Sequence, residues 1–424
     1  MDQSPPLRLY TDEMVKPRAV HTPSTVPLHW KSAVKEGLDR DEHLGVIEKV
    51  PVNSPVTWCS RMVVTSKADG SPRRVVDFTE LNKYTPRQTH HTASPWNIVS
   101  SIPPQKVKSV LDCWHGYHSV PLHPSDKHLT TFVTEWGRYR YKTVPQGLIS
   151  AGDAYTQRKA EIMAGVSDQE TCVDDTILFS DTIEQNFFKV CEFLTTGSNG
   201  GCTFNPHKFQ FGEDEVNFLG FLVTRDGVKT TGQFRESILD FPTPQNITDV
   251  RAWFGCINQV SYSFASAPIM APFRHLLSTK VPFQWSEELQ SAFEASKLEI
   301  VAQCEKGVRS FDPKLPTALA TDWAKIGIGF WLTQKHCKCP VRQEPLPGCC
   351  PTGWQTVYCG SKFCTPAESR YHPIEGEALA ATYGLQKCKF FVLGLDNLIL
   401  TLDHKPLLPI FGQDHHLEDI ENPR

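Results

Sequence analysis

Thr171-Cys172-Val173-Asp174-Asp175-Thr176-Ile177-Leu178-Phe179-Ser180 is the stretch on which the reading of this chain turns. Two adjacent carboxylates sit between short apolar runs. The pattern predicts two strands and a tight turn, a β-hairpin with acids at its tip. Adjacent like charges repel, so folding alone gains little from pairing them. A bound divalent cation removes the repulsion, and hard cations such as Mg²⁺ take carboxylate oxygens. Enzymes that move phosphoryl groups use two such ions, one to activate the attacking oxygen and one to stabilise the leaving oxygen. A solvated Asp-Asp turn is the competing reading, because Asp is common in turns.

Composition sets the frame. A chain of 424 residues has room for two or three domains, each with its own core. Hydrophobic residues at 40% and charged residues at 21% are ordinary for a globular protein. No apolar run approaches the length of a membrane span. The start, Met1-Asp2-Gln3-Ser4-Pro5-Pro6, lacks the basic-then-apolar pattern of a secretory signal. The expectation is an intracellular protein, cytoplasmic or nuclear, not secreted and without a membrane partner. Its 14 cysteines are then mainly reduced thiols. The net charge of −4 argues against nonspecific coating of nucleic acid. Any basic track must be local, with Lys67, Arg73 and Arg74, then Arg138, Arg140 and Lys142, as candidates.

Outward from the hairpin, local signals define the elements. Residues 1–25 are rich in proline and polar groups and read as a flexible lead-in. Strands are expected around Arg61–Thr65 and Arg74–Phe78, with Lys67-Ala68-Asp69-Gly70-Ser71-Pro72 as the turn between them. Another apolar strand, Val107-Lys108-Ser109-Val110-Leu111, ends at a third acid, Asp112. Asp181-Thr182-Ile183-Glu184 resembles a capping box. Ile183, Phe187, Val190, Cys191 and Leu194 follow at helical spacing. Ser286 is placed to cap a helix with Leu289, Phe293 and Ile300 on one side. Beyond Pro313 and Pro316, strands are expected up to Asp322, through Ile326–Leu332, near Trp354–Tyr358 and at Leu398–Thr401. A helix carries Glu377, Leu385, Cys388 and Phe391. This is a mixed α/β, α+β multidomain chain.

The ordered set of motifs resembles the reverse transcriptases of gypsy-class long-terminal-repeat retrotransposons. The palm motifs are Asp112 with its following Gly116-Tyr117, and Cys172-Val173-Asp174-Asp175. Arg73-Arg74-Val75-Val76-Asp77-Phe78-Thr79-Glu80-Leu81-Asn82 is similar to the fingers motif. Val144-Pro145-Gln146-Gly147-Leu148 is similar to the nucleotide-pocket motif, and Asn217-Phe218-Leu219-Gly220-Phe221 to the primer grip. Asp322, Glu377 and Asp403 sit in contexts similar to the ribonuclease H domain that follows the polymerase. The resemblance covers about residue 40 onward. It implies a right-hand polymerase with fingers and palm over 26–225 and a thumb or connecting helical region over 226–310. A ribonuclease H-like α/β domain follows over 311–424, shortened at its C-terminal end.

The resemblance also implies roles. Asp112, Asp174 and Asp175 would ligate two Mg²⁺ ions, or Mn²⁺, for nucleotidyl transfer, with Asp175 the more peripheral. Tyr117 would lie under the sugar and reject a 2′-hydroxyl; a core tyrosine is its competing reading. Gln146 would contact the nucleotide near its sugar, where many relatives carry Phe. Lys67 and Arg73 would bind triphosphate oxygens, the one as a point charge and the other as a fork. Phe218, Leu219 and Gly220 would grip the primer. Asp322, Glu377 and Asp403 would hold metal ions that activate water against an RNA phosphodiester. Glu375 competes with Glu377, because Glu375-Gly376-Glu377 offers both. Such domains usually add a fourth acid further along, and often a histidine; the expectation is that the fourth acid is missing and that ribonuclease activity is in more doubt than polymerase activity. Implied partners are an RNA or DNA template with primer, RNA–DNA hybrid and deoxynucleoside triphosphates; no oligomeric state is implied. A decayed element copy that only binds nucleic acid, or a host-recruited scaffold, are the rival readings.

Four cysteines stand apart. Cys337, Cys339, Cys349 and Cys350 lie in an apparent insertion of the last domain. Four thiolates could hold Zn²⁺ tetrahedrally. Their spacing matches none of the usual paired patterns, and adjacent cysteines chelate awkwardly, so reduced thiols are the favoured reading.

Overall fold

The computed structural model describes the chain except residues 1–4, 12–13, 68, 115, 279–281, 340–349, 351–352, 397 and 409–424. The chain divides into two compact units, Met1–Ser94 with Val107–Glu213, and Pro95–Lys106 with Asp214–Arg424. In chain order the elements are α1 (Lys31–His43), β1 (Ile47–Lys49), β2 (Ser60–Ser66), β3 (Pro72–Asp77), α2 (Thr79–Asn82), α3 (Pro95–Ser101) and β4 (Val107–Asp112). Then come β5 (Phe132–Thr134), β6 (Gly137–Tyr141), α4 (Ala151–Met163), β7 (Gln169–Cys172), β8 (Asp175–Ser180), α5 (Ile183–Asn199) and β9 (Gln210–Glu213). They are followed by β10 (Val216–Phe218), β11 (Phe221–Val223), β12 (Gly227–Thr230), α6 (Gly232–Leu239), α7 (Ile247–Val260), α8 (Ser266–Met270) and α9 (Glu287–Lys306). The last are β13 (Val308–Arg309), β14 (Thr317–Trp323), β15 (Gly327–Lys335), β16 (Trp354–Phe363), α10 (Pro373–Val392) and β17 (Leu398–Thr401).

The first unit holds two sheets. One runs β1-β6-β5-β2-β3, the other β7-β8-β4-β9. The only parallel pairing among these described strands is β2 with β5. Leu38, Met62, Phe78, Phe132, Tyr139 and Tyr155 meet in one core. Leu111, Met163, Leu178, Val190 and Phe193 form a second. Strands β4 and β8 are buried at nearly every position, so both of their faces are covered. Within the expected flexible lead-in, Leu7 and Leu9 are packed instead. Leu7 and Leu9 alternate about Arg8 and are buried, while Arg8 Nε donates to Asp126 at 2.7 Å. Leu7 N also donates to Pro121 O. Two apolar side chains at period two anchor the segment against its polar composition.

Helix α5 starts one residue later than its expected cap. Thr182, in an extended conformation, accepts from Gln185 N, so Thr182 and not Asp181 caps the helix. Its buried face is Asn186, Val190, Phe193 and Gly197. Ile183, Phe187 and Cys191 are exposed.

The second unit contains the sheets β10-β11-β12-β13 and β16-β15-β14-β17. Strand β17 runs parallel to β14; β14–β15 and β15–β16 are antiparallel. Helix α10 packs on β14 and β15, burying Ala380, Ala381, Cys388 and Phe391. Between the sheets in sequence lie α6 to α9. Ser286 caps α9 by accepting from Leu289 N, and Leu289, Phe293 and Ile300 are buried, as their spacing requires. Helix α3 belongs here despite its position in sequence. Trp96 stacks on Tyr262 and Tyr358 with ring centroids 4.4 and 5.4 Å apart. The expected 225/226 boundary therefore differs from the observed division, which falls at Asp214 and sets Pro95–Lys106 apart.

Candidate active sites

The hairpin at 171–180 has the expected form. Strands β7 and β8 are antiparallel with Cys172 opposite Asp175, so Val173 and Asp174 make a two-residue turn. Val173 sits at φ 53°, a left-handed conformation costly for a β-branched residue. Such strain persists only where surrounding contacts hold it. Lys159 supplies part of that hold. Its Nζ donates to Val173 O at 3.0 Å and Asp174 O at 2.9 Å. Lys159 is buried on α4 in line with Ala151, Tyr155 and Met163.

Strand β4 lies beside β8, and Asp112 is the register partner of Asp175. Cys113 N donates to Asp174 O, tying the end of β4 to the turn. The three acids thus converge. Burial pushes the Asp174 carboxyl above its ordinary value, with Asp112 and Asp175 adding and Lys159 opposing. Burial also raises Asp175, and Asp112 adds to that rise. Asp174 Oδ1 is buried and has no hydrogen-bond partner. A buried carboxylate oxygen without a donor suits a cation ligand. Lys208 Nζ meets Asp112 Oδ2 at 2.8 Å and supplies local positive charge. An oxygen-rich acid set with an orphaned oxygen fits a hard divalent ion.

Tyr117 stands next to this cluster, half-buried, its ring 5.5 Å from that of Tyr155. Burial raises its phenol, and Asp174 raises it further. A Cβ at Gly116 would collide with the Tyr155 ring, so glycine there lets the Tyr117 turn close over α4. Arg73 and Gln146 share a cavity of about 280 Å³ with Asp41, Arg74 and His118. Arg73 Nη2 reaches Gln146 Oε1 at 3.5 Å, a long contact. Arg74 is committed to Asp41 at 2.8 Å. Lys67 closes the β2–β3 turn through its backbone, with N donating to Ser71 O. Its side chain is exposed on that turn. Arg140 pairs with Glu48 and so contributes less to a basic track than its charge suggests. In the second unit, Phe218-Leu219-Gly220 forms the β10–β11 hairpin. Leu219 and Gly220 make the turn at φ 53° and 83°, and Phe218 is buried.

The second acid cluster is tighter. Asp322 on β14, Glu377 on α10 and Asp403 after β17 each present a carboxylate oxygen within 4.8 Å of the others. Parallel pairing of Ala320 with Thr401 brings the ends of β14 and β17 together. Gly376 lets α10 approach β14, because a Cβ there would collide with the Trp323 ring. Glu375 and Glu377, both candidates in the sequence, are placed differently. Glu375 is exposed and accepts from His372 N at the helix start, whereas Glu377 is buried and faces Asp322. Burial, then Asp403 and Asp322, push Glu377 up to about 7. Its Oε2 is buried without a partner, again a fit for a cation. Asp322 and Asp403 also border an apolar cavity of about 540 Å³ with Ala265, Pro268, Ile328 and Phe363.

Residues 65–223 match the family described as reverse transcriptase (RNA-dependent DNA polymerase). Residues 312–422 match the RNase H-like domain found in reverse transcriptase. The retrovirus-related Pol polyprotein from transposon gypsy of Drosophila melanogaster is 26% identical over 397 residues, covering 89% of this chain and 35% of the relative. That from transposon opus of the same organism is 25% identical over 404 residues, covering 91% and 38%. The chain carries the reverse transcriptase and ribonuclease H-like domains of the gypsy-type retrotransposon polyproteins. It spans about a third of the length of these curated relatives. The fold is shared with the foamy viral protease-reverse transcriptase in complex with dsDNA, at TM-score 0.82 and 18% identity, covering 99% of this chain and 83% of that one. The same foamy viral protein with RNA/DNA hybrid gives a TM-score of 0.77 at 18% identity, covering 92% and 50%. None of the described helices of this reverse transcriptase–ribonuclease H chain is long and apolar enough to cross a membrane.

Two residues of the reverse transcriptase domain escape a motif reading, Lys159 and Lys208. A signal for Lys159 exists. It interrupts the otherwise apolar i, i+4 stripe of Tyr155 and Met163. For Lys208 the sequence offers none, because its meeting with Asp112 spans 96 positions. Cys337, Cys339 and Cys350 come together in the ribonuclease H-like domain, with sulfurs within 4.8 Å of one another. Cys349 lies outside the described residues.

Proposed function

We propose that this chain is an RNA-directed DNA polymerase with an attached ribonuclease H that cleaves RNA in RNA–DNA hybrids. The observation that carries this reading is the register of Asp112 against Asp175, with Asp174 at the strained turn beside them. Asp112, Asp174 and Asp175 would hold divalent cations, Mg²⁺ or Mn²⁺. Bound there, such ions activate a primer 3′-hydroxyl and neutralise departing pyrophosphate. The chain's own residues do the rest. Lys208 balances Asp112 and must release it when a cation binds. Lys159 holds the turn that aims Asp174. Arg73, with Lys67 on the same hairpin, attracts triphosphate oxygens. Tyr117 fills the space a ribose 2′-hydroxyl would need, and Gln146 borders the same nucleotide. Phe218, Leu219 and Gly220 would support the primer strand through a rigid hairpin.

Asp322, Glu377 and Asp403 would hold the ions of the hydrolase, which lower the pKa of attacking water. Glu377 has to surrender its proton for that, and a cation makes the surrender favourable. Substrates are template with primer, deoxynucleoside triphosphates and RNA–DNA hybrid. The test is extension of a DNA primer on an RNA template by the purified chain. Mg²⁺-dependent extension is expected, with Asp112→Asn lowering it by roughly a hundredfold or more. Tight template–primer binding without extension in Mg²⁺ or Mn²⁺ would replace the polymerase with a binding protein.

A further inference from the structure

The connection from β15 to β16 spans the positions between Lys335 and Trp354. Its two ends are pinned by His336 N donating to Gly353 O and Gly353 N donating to Cys350 O. Cys337 and Cys339 lie on the outgoing arm and Cys350 on the return. Their three sulfurs, from segments more than ten residues apart, lie within 4.8 Å of one another. A disulfide needs two sulfurs, so the approach of a third calls for another explanation. All three are half-buried. The other described cysteines of this domain, Cys359, Cys364 and Cys388, are buried as small apolar side chains.

A second observation points the same way. Lys335 is buried, and its ammonium donates to the carbonyl oxygens of Cys337 and Cys339. No carboxylate pairs with it among the described residues. A buried ammonium held only by neutral carbonyls lacks a counter-charge. Three thiolates around a dication carry one net negative charge, which Lys335 would balance.

We infer that Cys337, Cys339 and Cys350 form a thiolate site for Zn²⁺ that clips the β15–β16 connection of the ribonuclease H-like domain. Zinc takes thiolate sulfur at about 2.3 Å in tetrahedral geometry, which sets sulfurs roughly 3.8 Å apart. Sulfurs already within 4.8 Å of one another reach that spacing by small side-chain rotations. The fourth position falls to a solvent oxygen or another donor. Binding would release the thiol protons and constrain the connection, so zinc stabilises the domain without entering the carboxylate chemistry.

The test uses the full chain loaded with Zn²⁺ and dialysed against excess Mg²⁺, which fills the carboxylate sites. Metal analysis is expected to find one zinc per chain. Alkylation followed by peptide mapping of the unmutated chain is the second readout, and it needs no variant to fold. Cys337, Cys339 and Cys350 should react roughly tenfold or more slowly than after chelator treatment, while exposed Cys191 reacts alike in both states. Cobalt substituted for zinc should show thiolate charge-transfer absorption, lost in Cys339→Ser or Cys350→Ser and kept in Cys191→Ser. Equal alkylation with and without zinc would overturn the site. So would zinc retention unchanged in the triple serine variant, or a disulfide among the three in the zinc-loaded chain.

Discussion

At the scale of single residues, the two sites share one device, a carboxyl oxygen buried with no donor. In Glu377 this device has a pH signature. A carboxyl raised to about 7 favours the protonated form in the folded chain. Its contribution to stability is complete below the unfolded carboxylate range and is lost as pH rises through about 7. With chelator present, the chain should therefore melt at lower temperature at pH 8 than at pH 6, relative to Glu377→Gln, in which this dependence is absent. Mg²⁺ should reverse the trend, stabilising more at pH 8, where no proton competes. A melting difference between wild type and Glu377→Gln that is flat with pH would contradict the burial argument. Lys159 gives the matching prediction for the hairpin. Lys159→Met keeps length and removes the donor to Val173 and Asp174 carbonyls. Primer extension should fall by roughly ten- to a hundredfold, as for residues that orient metal ligands. The acid limb of its pH profile should move to higher pH, because Lys159 counters the rise in Asp174. A purely structural role would leave that limb in place. Glu377 could not be told from Glu375 by sequence alone, while Asp112, Asp174, Asp322 and Asp403 were legible because each follows a strand-like run. Their partners were not, because a lysine carries no motif and its target is set by tertiary folding.

Elements were legible where a local signal agreed with burial. Helix α9 follows from Ser286 as a cap and an apolar face three and four residues apart. The hairpin at 173–174 follows from two acids between apolar runs, whereas the β10–β11 turn at Leu219-Gly220 is seen only in the fold. Helix α5 was harder, since Asp181 and Thr182 can both cap and only the extended backbone at Thr182 decides. The unit to which α3 belongs could not be read at all. Seven residues with one aromatic do not reveal their partners. Trp96 nonetheless joins Tyr262 and Tyr358 in a stack within the second unit. Trp96→Ala should destabilise that unit by about 3 kcal/mol, the usual cost of deleting a large packed aromatic. Denaturant unfolding measures it. A change under about 0.5 kcal/mol, typical of surface substitutions, would mean that the stack is incidental.

For the whole molecule, the sequence conveyed a polymerase-like unit followed by a strand-rich unit with its own acid cluster. It did not convey where the compact units divide. Composition changes gradually there, while the observed boundary depends on which strands pair. The lead-in shows the same limit, because two leucines outweigh a proline-rich, polar composition. Each unit carries one acid cluster, so the two chemistries should be separable. The decisive measurement follows primer extension and RNA cleavage together on one doubly labelled RNA-template, DNA-primer substrate with Mg²⁺. Each variant removes one carboxylate charge while conserving volume. Asp174→Asn should abolish extension and leave hybrid cleavage at the wild-type level. Asp403→Asn should abolish cleavage and leave extension unchanged. Loss of both activities in either variant, with the fold intact by circular dichroism, would contradict the assignment of separate chemistry to each acid cluster.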